Sequence, residues 1–125
     1  MIAEKYIDHE HYNQVCAWAI SRKLKAPPSK LLPQTGRIVS GHAAVFLYRT
    51  DSQVGFIENL ISNPDARSAS DAIDLCLEAI EQDAQDLGVS LLWGSTYIPG
   101  VADRVRRRGF RVSNREYRLV TKELS

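Results

Sequence analysis

The sequence is poor in the residues that build cross-linked or metal-held proteins. Its 125 residues include two cysteines, Cys16 and Cys76, and three histidines, His9, His11 and His42. The cysteines are far apart, and each lies on the apolar side of an expected helix. They read as buried free thiols in preference to a bridge or a nucleophile. The histidines are scattered, without the spacing of a ligand set, and read as polar surface with no metal site. Charge is nearly balanced at a formal +1, so no global field draws the chain to nucleic acid or to a membrane. Apolar runs are short as well. None approaches the roughly 18 residues of a membrane span, and the opening MIAEKYIDHEH carries charges throughout, unlike a signal peptide. The expectation is a reducing, cytoplasmic setting, with no membrane partner and with nucleic acid disfavoured. Internal repeats and low-complexity tracts are not visible either.

What is present suits a globular protein. With 44% hydrophobic and 25% charged residues, the chain can bury a core without disulfides or metal, and its length fits one domain over residues 1–125. Residues 2–7 alternate weakly and predict a first strand. Asp8 is placed to cap a helix over 9–23, in which Tyr12, Val15, Cys16 and Ala19 recur at helical spacing. Arg22, Lys23 and Lys25 suit the negative end of that helix. The segment KAPPSKLLPQTG at 25–36 holds three of the five prolines. It predicts a loop or a broken short helix, either bordering a substrate pocket or serving as a plain connector. Strands are expected at 37–40, 43–49 and 53–61, with turns at Gly41-His42 and Asp51-Ser52, as an antiparallel meander. A meander leaves an edge to which a second copy can add, giving a homodimer.

From Pro64 the pattern turns helical. Ala69, Ala72, Ile73, Cys76, Leu77, Ile80, Ala84 and Leu87 share one face, Asp74, Glu78, Glu81 and Gln85 line the other, and Gly88 is a natural stop. Residues 89–93 (VSLLW) predict a short central strand. Pro99 or Gly100 opens a last helix ending at Gly109, and 110–112 with 116–121 predict a closing pair of strands. Trp18, Trp93, Phe46 and Phe56 are expected in the core. The order β-α-loop-βββ-α-β-α-ββ is an α+β arrangement.

Residues 54–86 organise the rest: a strand, a short loop with Pro64 and Arg67, then the long helix. Free N–H groups at a helix N-terminus, with the positive end of its dipole, stabilise a pyrophosphate, and Arg67 can pair with a phosphate oxygen. The other reading is that Ser68 or Ser70 caps the helix, helped by Asp71 in a capping box.

Three stretches resemble the GNAT superfamily of N-acyltransferases: IENLISNP at 57–64, the loop Arg67-Ser68-Ala69-Ser70-Asp71-Ala72, and the run from Ala102 to Arg108-Gly109-Phe110. The resemblance covers almost the whole chain. It implies a three-layer α/β/α fold with a mixed, mainly antiparallel sheet, acetyl-CoA as cofactor, and acyl transfer to an amine. The LPQTG of 32–36 and the NLISNP of 59–64 also resemble small GNAT-like proteins of bacteriophages. By this likeness the N–H groups of Leu60, Ile61 and Ser62 hold the pantetheine, and Arg67, Ser68, Ala69, Ser70 and Ala72 hold the pyrophosphate. Serine stands at 70 where the family pattern has glycine, and Ser68 replaces another common glycine.

For the chemistry, the resemblance implies Glu58 as general base; its other reading is a sheet-edge carboxylate. Strand alternation sends Asn59 to the opposite face. The family's tyrosine acid is replaced by Val105 and its helix asparagine by Pro99, which leaves Tyr97 as the stand-in. The arginines at 104, 106, 107, 108, 111 and 115 are read as a solvated face rather than a phosphate-binding one. Two functions follow as expectations: an acetyl-CoA-dependent N-acyltransferase with an unknown small-molecule or protein amine acceptor, or a catalytically degenerate scaffold that binds a partner, as a virion-associated or host-modulating protein.

Overall fold

The computed structural model describes residues 1–96, 99–115 and 118–124, which fall into two compact units, Met1–Ser95 and Thr96–Ser125. The first unit begins with a strand, β1, reduced to Glu4–Lys5, and a helix, α1, over Asp8–Ser21. Asp8 does not cap α1 as expected. Ile7 is the N-cap residue, and its N–H is taken by Nδ1 of His11 at 2.9 Å. Asp8 is thereby released to accept hydrogen bonds from Tyr6 and Ser29. His11, read from sequence as surface, is buried because its ring serves this turn and lies against Tyr6.

A 3₁₀ turn at Ser29–Leu31 breaks the proline-rich segment. Strands β2 (Gly36–Val39), β3 (Ala43–Arg49) and β4 (Val54–Ser62) form the expected antiparallel meander. Helix α2 (Ala69–Asp86) crosses over to β5 (Leu91–Gly94), which pairs parallel with β4. The sheet order is β1-β2-β3-β4-β5, so the mixed, mainly antiparallel sheet expected from the sequence is present, and the chain is α+β.

The two faces of the sheet carry the two helices. On one, Val15, Trp18 and Ala19 of α1 meet Tyr6, Ile38, Ala44, Phe46 and Ile61. Gly36 is required here. A Cβ at this position would lie 2.8 Å from the Phe46 ring and 3.0 Å from Cβ of Tyr6. On the other face α2 buries Ala72, Cys76, Leu77, Ile80 and Ala84. The Arg37 guanidinium grips the Asp83 carboxylate with two bonds of 2.6 Å and donates a third to the carbonyl of Ala3, tying α2, β2 and the N-terminal segment together. Both cysteines are free, Cys76 buried and Cys16 partly so. Trp93 departs from expectation. It is 54% exposed on β5, the edge strand of the sheet among the described residues, with its ring edge-to-face against Phe56.

The second unit contains helix α3 over Pro99–Arg107. Arg106 pairs with Asp103 one turn earlier at 2.8 Å, with both side chains more than half exposed. The closing strands expected at 110–112 and 116–121 are not formed in the described residues 110–112 and 118–121; Glu116 and Tyr117 lie outside the described residues. A strand exists only through its partner, and these segments have no ladder partner among the described residues.

The α-helices of the described residues, α1, α2 and α3, end the same way. A residue in left-handed backbone follows each, and the next N–H returns to a carbonyl five residues back: Leu24 to Ala19, Val89 to Ala84, Phe110 to Val105. Glycine supplies that conformation at Gly88 and Gly109, whereas α1 uses Lys23 at φ 59°.

Candidate active site

The candidate site is built around an irregularity in β4. Ala44 pairs with Ile61 and Phe46 with Glu58, so two residues of β4, Asn59 and Leu60, oppose the single residue Val45. This is a β-bulge, and Asn59 takes its left-handed backbone at φ 56°. Asparagine tolerates that region better than most non-glycine residues. The bulge breaks the two-residue alternation that would send Asn59 to the face opposite Glu58. Asn59 instead donates from Nδ2 to the hydroxyl of Tyr48 at 2.7 Å.

Tyr48 sits two residues beyond Phe46 on β3, on the α1 face, and Glu58 is cross-strand from Phe46. Glu58, Asn59 and Tyr48 thus meet on one side of the sheet. Burial raises the pKa of Glu58, and the hydroxyl of Ser95, 3.3 Å from Oε1, offsets part of that rise. The Tyr48 phenol is raised too, first by burial. The Asn59 bond opposes the shift and the charge of Glu58 adds to it. A carboxyl held above its ordinary range by burial thus lies on the same side of the sheet as a partly buried phenol.

Beside the bulge is a cavity of about 80 Å³, walled by α1 (Val15, Ala19), the following loop (Leu24, Lys25, Pro27) and Asn59 to Ile61 of β4. The far end of β4 is clamped. Arg22 donates to the carbonyl and to the hydroxyl of Ser62, both at 2.7 Å. Parallel pairing with β5 runs from Val54 to Ile57 and stops there. Glu58, Asn59, Leu60, Ile61 and Ser62 therefore extend beyond that ladder.

At the other expected subsite, Arg67 is exposed, and its side chain makes no hydrogen bond or ion pair among the described residues. Ser68 is the N-cap residue of α2, and its own side chain makes no capping hydrogen bond. Asp71 is the acidic residue of its first turn. Of the alternative that Ser68 or Ser70 caps the helix, the Ser68 cap is therefore not formed. Ala69 and Ser70 open the helix, and the Ala72 N–H already serves the Ser68 carbonyl. A helix N-terminus beside an exposed guanidinium is a donor set that suits a pyrophosphate, with the Asp71 carboxylate as the opposing charge.

No family model matches the sequence, and no curated protein matches it. Solved structures do match. The crystal structure of a Trypanosoma brucei acetyltransferase superposes with a TM-score of 0.60 at 15% identity, over 97% of this chain and 97% of that one. The chain shares the fold of that acetyltransferase. At this identity the likeness is one of fold alone. It spans both compact units, and within the acetyltransferase fold the bulged β4 and the start of α2 are the elements that carry the candidate residues.

Of the expected site residues, Glu58 and the β4 segment with Leu60, Ile61 and Ser62 lie together. Arg67, Ser68, Ala69, Ser70 and Ala72 form the separate entry to α2. Tyr97 lies outside the described residues. Val105 is on α3, where its carbonyl closes the helix end. Among the described residues no group of histidine, cysteine and carboxylate side chains is arranged to hold a metal, and no helix is long and apolar enough to cross a membrane. The sequence reading missed Tyr48, Asn59 as a partner of Glu58's face, Ser95, and the Arg22 clamp. An asparagine within a strand otherwise rich in apolar residues was the one available signal, since that residue type favours left-handed bulge positions.

Proposed function

We propose that the protein is an N-acyltransferase that takes its acyl group from acetyl-CoA and delivers it to a primary amine. The observation that carries the reading is Glu58, a half-buried carboxylate of raised pKa, beside a β-bulge on an acetyltransferase fold. When bound, acetyl-CoA supplies an activated thioester carbonyl. Arg67 and the start of α2 would hold its phosphates. The backbone N–H groups of Leu60, Ile61 and Ser62, on the part of β4 beyond its pairing with β5, would take its amide-bearing arm. Glu58 accepts a proton from the amine nitrogen, and its raised pKa makes it a better base than an ordinary carboxylate. Serine at 68 and 70 narrows the approach to the helix start that glycine would leave open, which weakens the phosphate site without removing its donors.

Acetyl-CoA binding by calorimetry tests the reading. Wild type binds at micromolar levels, and Arg67→Ala binds at least tenfold more weakly. Absence of binding at millimolar acetyl-CoA overturns the proposal. A second reading, a binding protein on a scaffold that has lost its chemistry, is favoured by Val105, whose side chain has no proton to give. It predicts that Arg67→Ala leaves the protein's behaviour unaltered.

A further inference from the structure

Acyl transfer from a thioester expels a thiolate, and a thiolate leaves more readily when it is protonated as it goes. Glu58 accounts for the proton taken from the amine and does not account for this one. Three observations converge on a single side chain. Tyr48 lies on the same sheet face as Glu58, two residues along β3 from Glu58's cross-strand partner Phe46. The bulge turns Asn59 so that its Nδ2 donates to the Tyr48 oxygen at 2.7 Å. That oxygen therefore acts as acceptor toward Asn59, and its own O–H is left to point elsewhere. Among the described residues no acceptor for that O–H is found.

We infer that Tyr48, held by Asn59, is the group that protonates the departing thiolate. The inference rests on the acyltransferase reading above. The step balances as follows. The amine lone pair forms the N–C bond to the thioester carbonyl carbon, and the C–S bond breaks with its pair on sulfur. The Tyr48 proton goes to that sulfur. The proton that Glu58 took from the amine returns to the Tyr48 oxygen. Amine and thioester become amide and thiol, and both side chains are restored. Glu58 is the charged group whose field reaches the phenol, and the Asn59 bond steadies the phenolate formed in passing. The bulge then has a chemical purpose, because a regular strand would place Asn59 on the other face.

The test uses the full chain with hydroxylamine as a small probe amine. Tyr48→Phe slows thiol release from acetyl-CoA by about 10²-fold, within the range of general acid catalysis. The same variant stays within twofold of wild type with p-nitrophenyl acetate, whose leaving group departs without a proton. Equal losses with both donors, or no loss with acetyl-CoA, overturn the assignment. A second readout needs no acyl donor. The phenol titration identified as Tyr48 by its disappearance in Tyr48→Phe moves down in Glu58→Gln and up in Asn59→Gly, which keeps the positive φ while removing the donor. If neither substitution moves it, the three residues are not coupled and the inference falls. Failure of wild type to bind acetyl-CoA overturns the acyltransferase reading and this inference together. Wild-type turnover matched by Tyr48→Phe overturns this inference alone.

Discussion

Replacing Glu58 by glutamine separates what this side chain does for chemistry from what it costs the fold. The amide is nearly isosteric and keeps an oxygen for the Ser95 hydroxyl, so the 3.3 Å contact survives. What disappears is the charge. On the acyltransferase reading proposed above, loss of the general base lowers the rate by about 10²–10⁴, equivalent to about 3–5 kcal/mol of barrier at roughly 1.4 kcal/mol per tenfold. Stability moves the other way. Burial raises the folded-state pKa of Glu58, so between the ordinary glutamate range and the raised value the folded chain binds more protons than the unfolded one. Stability therefore falls as pH rises through that window, and the cost is fully present above the raised value. Glu58→Gln removes it. Its melting temperature exceeds that of wild type at pH 7, and the difference vanishes in acid below the ordinary glutamate range. Thermal melts across pH, beside thiol release from acetyl-CoA, measure both sides. A glutamine variant that melts lower at pH 7 and acylates within a fewfold of wild type refutes the reasoning, because the carboxylate is then neither desolvated nor used.

Other outcomes follow from the packing. Arg37→Ala or Asp83→Ala each costs about 2–3 kcal/mol in urea unfolding, between an exposed and a fully buried pair, since both side chains are about one-fifth exposed and meet in a two-bonded geometry; a loss below 0.5 kcal/mol contradicts the tie between α2 and β2. Thiol labelling of the native protein modifies Cys16 first. The Cys76 thiol, its pKa pushed up to about 11 mainly by burial, reacts only on opening, so its labelling rate follows unfolding across denaturant.

The parts legible in the sequence are those whose pattern is local. AAVFLYR is apolar nearly throughout and bounded by turn residues, and it forms β3 over its full expected length. The face of α2 that packs on the sheet was visible in its spacing, although Leu87 at its end is 39% exposed. What was hidden depends on pairing between distant residues. The bulge arises from how β4 aligns with β3, and no period within β4 reveals it. Tyr48 reads as one more aromatic in a strand until Asn59, eleven residues later, reaches it. Helix α1 offered Asp8 as the obvious cap, but Tyr6 and, from twenty-one residues along the chain, Ser29 claim that carboxylate, while the His11 imidazole accepts the N–H of Ile7.

The end of α1 divides two tasks between adjacent residues. Arg22 fastens the helix to the last residue of β4, and Lys23 turns the chain away in a conformation that a non-glycine residue holds at a cost of about 1–2 kcal/mol. Together they make a pinned pivot. Leu24, Lys25 and Pro27, which wall the small cavity, lie just beyond it, whereas the opposite wall belongs to the sheet. A displacement of this loop changes the width of the cavity without shifting β4, Glu58 or Tyr48. On the acyltransferase reading proposed above, substitutions in the loop would retune what this cavity admits, while Glu58 and Tyr48 keep their places.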